Sequence, residues 1–167
     1  MKNLLVILAL VFSFSILAAQ PKPGENTNKD IGKLMTDFRF TDIKGEAFSP
    51  RNLPLGKPVI VLYFDPDCDH CQLESKWIVE QKELFKDISL LFVSWAEMEA
   101  LQAFPEKHLQ GITSNVFITK DDQYKIDDYF GYSEVLSIYV YNSKWIRTAS
   151  FKGETKPEIL VKFAKQQ

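Results

Sequence analysis

The feature that most constrains this fold is a continuous apolar run, Pro58-Val59-Ile60-Val61-Leu62-Tyr63-Phe64, bounded by Gly56 and Asp65. It shows no alternation of apolar and polar positions, so neither face of a strand built from it suits water. Such a run fits a central strand of a largely parallel sheet, buried on both sides. A chain organised around that strand needs cover above and below it, which the flanking segments must supply.

They alternate in period. Phe38, Phe40, Ile43 and Phe48 flank a turn at Lys44-Gly45-Glu46, which predicts an N-terminal hairpin. From Cys71 to about Lys86 the pattern becomes helical, with Leu73, Trp77, Ile78 and Leu84 as the apolar stripe. Residues 88–95 read as a second buried strand. Residues 96–108 read as a helix that Pro105 ends or kinks. A strand over 115–119, a short helix over 121–130 closed by Gly131, and a hairpin of 135–141 with 145–151 follow. In the short helix the carboxylates Asp121, Asp122, Asp127 and Asp128 cap and solvate. A terminal helix over 156–165 is opened by Thr155 and Pro157. This order indicates an α/β sandwich around a central mixed sheet.

The ends of the chain set its compartment. Lys2, an apolar stretch from Leu4 to Leu17, and the small pair Ala18-Ala19 have the layout of a secretory signal peptide over residues 1–19. The stretch is shorter than the ~20 residues a membrane-spanning helix needs; an uncleaved signal would leave the protein anchored. Residues 20–30 read as a flexible leader, and 31–167 as one exported domain. The net charge of -2 gives no support to nucleic-acid binding, and nothing after the signal suits stable membrane insertion.

Export changes how the two cysteines are read, because both fall in one motif, Cys68-Asp69-His70-Cys71. A structural disulfide constrains the unfolded chain more when it closes a long loop, and this ring is short. A zinc site normally takes four ligands, and only His70 and His108 could join the cysteines. A redox-active pair is the expectation, with no metal and no bound cofactor. Cys68 stands where the buried strand gives way to a helix, an end whose free N–H groups and dipole favour a thiolate. Cys71, one turn on, is placed to resolve a mixed disulfide. A protonated His70 would stabilise the thiolate, whereas Asp65, Asp67 and Asp69 oppose it. By count the carboxylates prevail, which favours a reducing or intermediate potential. Exposed charges are screened, however, so the sequence leaves the sign of the net shift and the direction of exchange open. Glu74 could assist proton transfer at Cys71, but a solvated helix carboxylate is the plainer reading. Trp77, Trp95, Phe92, Tyr139 and Tyr141 read as core or sheet-face residues, and His108 as an ordinary residue at a helix end.

With those residues in place, the sequence resembles the thioredoxin-like superfamily, particularly the exported TlpA/ResA-like and redoxin-type proteins of bacteria. The resemblance runs from about Ile31 to Phe163 through Asp37-Phe38-Arg39-Phe40, Gly45-Glu46, the strand 56–64, Cys68-x-x-Cys71 and Glu74. It implies a three-layer sandwich with Cys68 as nucleophile and Cys71 as resolving thiol. Three positions depart from the pattern. Asp67 replaces a tryptophan, Lys76 replaces a helix proline, and Leu136 stands where the family carries a cis-proline. A cis bond before a residue other than proline costs ~2.5–4 kcal/mol, so a trans Val135–Leu136 bond is expected.

The function implied is an enzyme exchanging disulfides with protein clients, recharged by an upstream electron donor. Two alternatives stay open: a non-catalytic metal- or client-binding module, and a thiol peroxidase. The peroxidase pattern, a proline and a hydroxyl residue seven and three positions before the cysteine, is replaced here by Val61 and Asp65.

Overall fold

The computed structural model describes residues 24–26, 30–112, 114–131 and 133–167. The expected signal peptide and most of the expected leader lie outside those residues. Within the leader, β1 (Glu25–Asn26) pairs antiparallel with the last strand of the sheet. No helix among the described residues is long and apolar enough to cross a membrane.

The N-terminal hairpin forms as expected from β2 (Phe40–Asp42) and β3 (Ala47–Phe48). The Asp42 carboxylate accepts the N–H groups of Lys44 and Glu46, which fixes the turn. Next come β4 (Val59–Tyr63), α1 (Asp69–Glu80), α2 (Lys82–Phe85), β5 (Ser89–Ser94) and α3 (Met98–His108). The chain closes with β6 (Val116–Lys120), α4 (Ile126–Phe130), β7 (Ser137–Tyr141), β8 (Arg147–Lys152) and α5 (Pro157–Ala164).

One sheet runs in the order β1-β8-β7-β4-β5-β6-β2-β3. β4 pairs parallel with β5 on one side and antiparallel with β7 on the other. Alternate β4 residues feed two separate cores, as a strand's period of two requires. Ile60 and Leu62 face Ile78 of α1, Phe85 of α2, Phe104 of α3 and Leu160 of α5. Val59 and Val61 face Phe130 of α4 and Phe38, Phe40 and Phe48 of the hairpin region. The three layers implied by the sequence are therefore present, with the hairpin sharing one outer layer with α4.

Several boundaries differ from the sequence reading. The helix expected over 71–86 breaks at Gln81, whose backbone leaves helical geometry, and α2 turns Phe85 fully into the core. Pro105 does not end α3; the helix continues to His108, with Leu101 and Phe104 buried and the Pro105 carbonyl accepting the Leu109 N–H. Thr155 is not the cap of α5: Lys156 holds that position, and Thr155 is buried elsewhere in the structure. In the short helix α4 the expected capping is present, since the buried Asp121 carboxylate accepts the N–H groups of Lys125 and Ile126.

Three rings hold the C-terminal end of β4 in place. Phe64 lies 4.7 Å from Phe104 and 5.3 Å from Phe92 between ring centroids, the latter edge-on. Phe104→Ala is expected to remove about 3–5 kcal/mol of stability, the usual cost of emptying such a site. A urea titration reads this, and a loss under about 1 kcal/mol would show that the triad does not carry the end of β4.

Candidate active site

The chain leaves the sheet at Phe64, whose N–H still donates to Val93. Asp65 then builds the turn: its side chain accepts the Asp67 N–H at 2.9 Å and its carbonyl accepts the Cys68 N–H at 3.1 Å. The Gln72 side chain donates back to the Pro66 carbonyl at 2.8 Å. Asp65 is thus a turn-forming residue as well as a charge. Cys68 occupies the N-cap of α1 in extended conformation, and its carbonyl accepts the Gln72 N–H. Its side chain is partly exposed at a helix end whose first N–H groups have no partner within the helix.

Cys71 lies inside. It is 2 % exposed and belongs to the same core as Phe64 and Leu136. Burial pushes its thiol well above the usual thiol range; a hydrogen bond with Cys68 adds to this, and the Asp65 N–H opposes it. Both cysteines are free thiols. The pair is therefore asymmetric, with one sulfur reachable and the other withdrawn.

Glu74 corrects the reading of a solvated carboxylate, for it is fully buried. The inward face of α1 is Cys71, Glu74, Ser75 and Ile78, whereas Leu73 is exposed and Trp77 half-buried. The three-and-four spacing from Cys71 carries Glu74 inward with it. Its Oε2 accepts the Thr155 N–H at 2.8 Å, while Oε1 has no hydrogen-bond partner. Burial is the main cause of a carboxyl pKa pushed up to about 8; the Thr155 N–H lowers it and the Glu154 charge raises it.

The expectation of a trans bond before Leu136 is also corrected: the Val135–Leu136 peptide is cis. The local cost of a cis bond was the basis of that expectation, and tertiary contacts are what it left out. Leu136 is 3 % exposed within the core that holds Cys71. Its carbonyl accepts the Gly153 N–H at 2.8 Å, and the Ser137 hydroxyl accepts the Glu134 N–H at 3.0 Å.

The remaining predicted residues lie on the surface. Asp67 and Asp69 are exposed. His70 is exposed too, and its Nδ1 meets Oε1 of Glu154 at 2.5 Å. That contact holds the imidazole above its usual pKa and the Glu154 carboxyl below its own. His108 stacks on Phe104 in the last turn of α3. It lines a groove of about 510 Å³ between α1 and α3, together with Asp69, Leu73 and Lys76. Among the described residues, no three His, Cys, Asp or Glu side chains gather as a metal site.

No family model and no curated protein matches the chain. Solved structures do. A secreted disulfide oxidoreductase of Mycobacterium tuberculosis, homologous to Escherichia coli DsbE, is similar with a TM-score of 0.61 at 18% identity. The match covers 77% of this chain and 94% of that one. A putative thiol:disulfide interchange protein DsbE of Chlorobium tepidum is similar with a TM-score of 0.66 at 13% identity, covering 80% and 94%. Peroxidoxin BcpB of M. tuberculosis gives 0.68 at 14% identity, covering 81% and 96%.

This chain has a thioredoxin-like fold. In the thioredoxin-like frame, Cys68, Cys71, Glu74 and Leu136 converge where β4 gives way to α1, and His70 stands beside them. Asp67 and Asp69 stay at the rim. Sequence reasoning missed Glu154 and Thr155, which join the site from the loop after β8; no local signal marks them, since Glu154 is 84 positions from its partner.

The raised pKa of Glu74 has a measurable consequence. An unfolded Glu titrates near about 4.3, so between there and about 8 the folded chain holds a proton that the unfolded chain has lost. Stability contributed at Glu74 therefore falls as pH rises through that window. Glu74→Gln is expected to gain on the parent by a few kcal/mol between about pH 5 and about pH 9. Urea unfolding at both values measures it; a pH-independent difference would contradict the assignment.

Proposed function

We propose that this chain is an exported thiol–disulfide oxidoreductase that exchanges disulfides with protein clients. The observation that carries the reading is the asymmetry of the pair, with Cys68 reachable at the helix N-cap and Cys71 buried one turn below with a raised pKa. The expected signal peptide and the secreted neighbour of similar fold support the location.

In the reducing direction the Cys68 thiolate attacks one sulfur of a client disulfide. The client S–S bond breaks, a Cys68–client disulfide forms, and the departing client thiolate takes a proton. Cys71 then gives up its proton and attacks Cys68, releasing the second client thiolate. The client has gained two electrons, and the protein is left as a Cys68–Cys71 disulfide. An upstream dithiol donor restores it. Glu74 in its carboxylate form suits the role of acceptor for the Cys71 proton. With a pKa pushed up to about 8 by burial, it holds a proton below that pH and is free to take one only as pH rises through it. Run backwards, the same steps oxidise a client dithiol.

A peroxidase is less well supported. The two positions that would bind peroxide are a core residue, Val61, and a turn residue, Asp65.

Trapping tests the proposal. Cys71→Ser is expected to accumulate mixed disulfides with clients through Cys68, and Cys68→Ser to form none and to lose client reduction. A Cys71→Ser protein whose Cys68 alkylates readily yet yields no adducts would point instead to a non-catalytic binding module.

A further inference from the structure

Four consecutive residues at the end of β8 and beyond it are tied, one each, to a different part of the candidate active site. Lys152 Nζ lies 3.0 Å from the Glu134 carboxylate in the loop before β7. Gly153, with a positive φ of 70 that suits glycine, donates its N–H to the Leu136 carbonyl at 2.8 Å. Glu154 Oε1 meets His70 Nδ1, and the Thr155 N–H donates to Glu74. The loop between β8 and α5 thus grips the segment before β7, the CxxC dipeptide and the buried carboxylate at once.

Within this grip the two members of the His70–Glu154 pair are unequal. The Glu154 side chain is 15% exposed and the His70 side chain 69%. The carboxylate is the seated partner, and the imidazole is drawn to it. The other charge acting on His70 is Asp69 on its own helix. From the same loop, Glu154 also acts on the Glu74 carboxyl, and Lys152 pairs with Glu134. The imidazolium is therefore matched by carboxylates.

We propose that Glu154 is a positioning residue for the cysteine pair, drawing the His70 imidazolium onto the β8–α5 loop and withholding its charge from Cys68. The proposal rests on reading Cys68 as the nucleophile. A thiolate is stabilised by an adjacent cation, and stabilising the thiolate stabilises the dithiol over the disulfide. Glu154 thereby makes the pair more reducing, and its nucleophile less reactive, than a histidine between two cysteines would otherwise make it.

The test uses Glu154→Gln, with Glu154→Ala as a second variant, each in the reduced Cys71→Ser full chain. Iodoacetamide alkylation of Cys68, compared at a pH below the His70 titration read by NMR in the same variant, is expected to quicken by up to about tenfold. The His70 imidazole titration followed by NMR is expected to move to lower pH. With both cysteines present, the glutathione equilibrium is expected to shift toward oxidising by up to about 30 mV, the same tenfold.

In a His70→Gln background the Glu154 substitution is expected to have no effect on alkylation. An unchanged rate in Glu154→Gln would overturn the proposal. So would an equal rise without His70, which would make Glu154 a plain negative charge. Faster alkylation that needs His70, in a protein that reduces no client, would uphold this inference while removing the proposed function.

Discussion

The strand Val59–Tyr63 is covered on both faces and paired on both edges, and the rest of the structure follows from that burial. Because both neighbours are already in place, the chain can leave only at the strand's end. Phe64, locked between Phe92 and Phe104, fixes where that end is. Asp65 then turns the chain within three residues, so Cys68 lands at the first position of α1 and Cys71 falls on its inward face. The placement of the sulfurs is a consequence of sheet packing, achieved before any of their own interactions are counted.

Electrostatics at the site divides along the same boundary. Charge on the exposed rim, at Asp67 and Asp69, is screened by solvent and salt. Charge at Glu74 is not, and its two oxygens are unequal, one held by the Thr155 N–H and one without a partner. A neutral carboxylic acid satisfies such a place better than a carboxylate does. The loop after β8 stands between these regimes, since Glu154 touches the exposed imidazole and the adjacent Thr155 touches the buried carboxyl. It is the segment through which a change at the surface can reach the interior of the site.

What could be read from the sequence was whatever is written locally. The 58–64 run announces a doubly covered strand because its apolar positions are continuous, and the spacing of Cys68-x-x-Cys71 sets its second cysteine one helical turn beyond the first. The short helix expected from Asp121 begins only at Ile126, and the Asp121 carboxylate accepts the Lys125 and Ile126 N–H groups at its start. Glu74 escapes the sequence pattern because the largest apolar side chains, Leu73 and Trp77, mark one face of α1, whereas the buried face is Cys71, Glu74, Ser75 and Ile78. Leu136 shares a core with Phe64 and Cys71, and its carbonyl accepts the Gly153 N–H, partners that are all distant in sequence. Glu154 is beyond reach for the same reason: its meaning comes from His70, on the other side of four strands and three helices that the intervening chain must build.

The central claim is that Cys68 and Cys71 form one two-electron couple within a single chain. A redox titration of the purified protein against glutathione, scored by thiol labelling and mass, tests it most directly. The account predicts a single transition in which both thiols disappear together with the loss of two hydrogen atoms from the monomer mass. Labelling of one cysteine at potentials that oxidise the other, or oxidation that proceeds only by linking two chains, would contradict it.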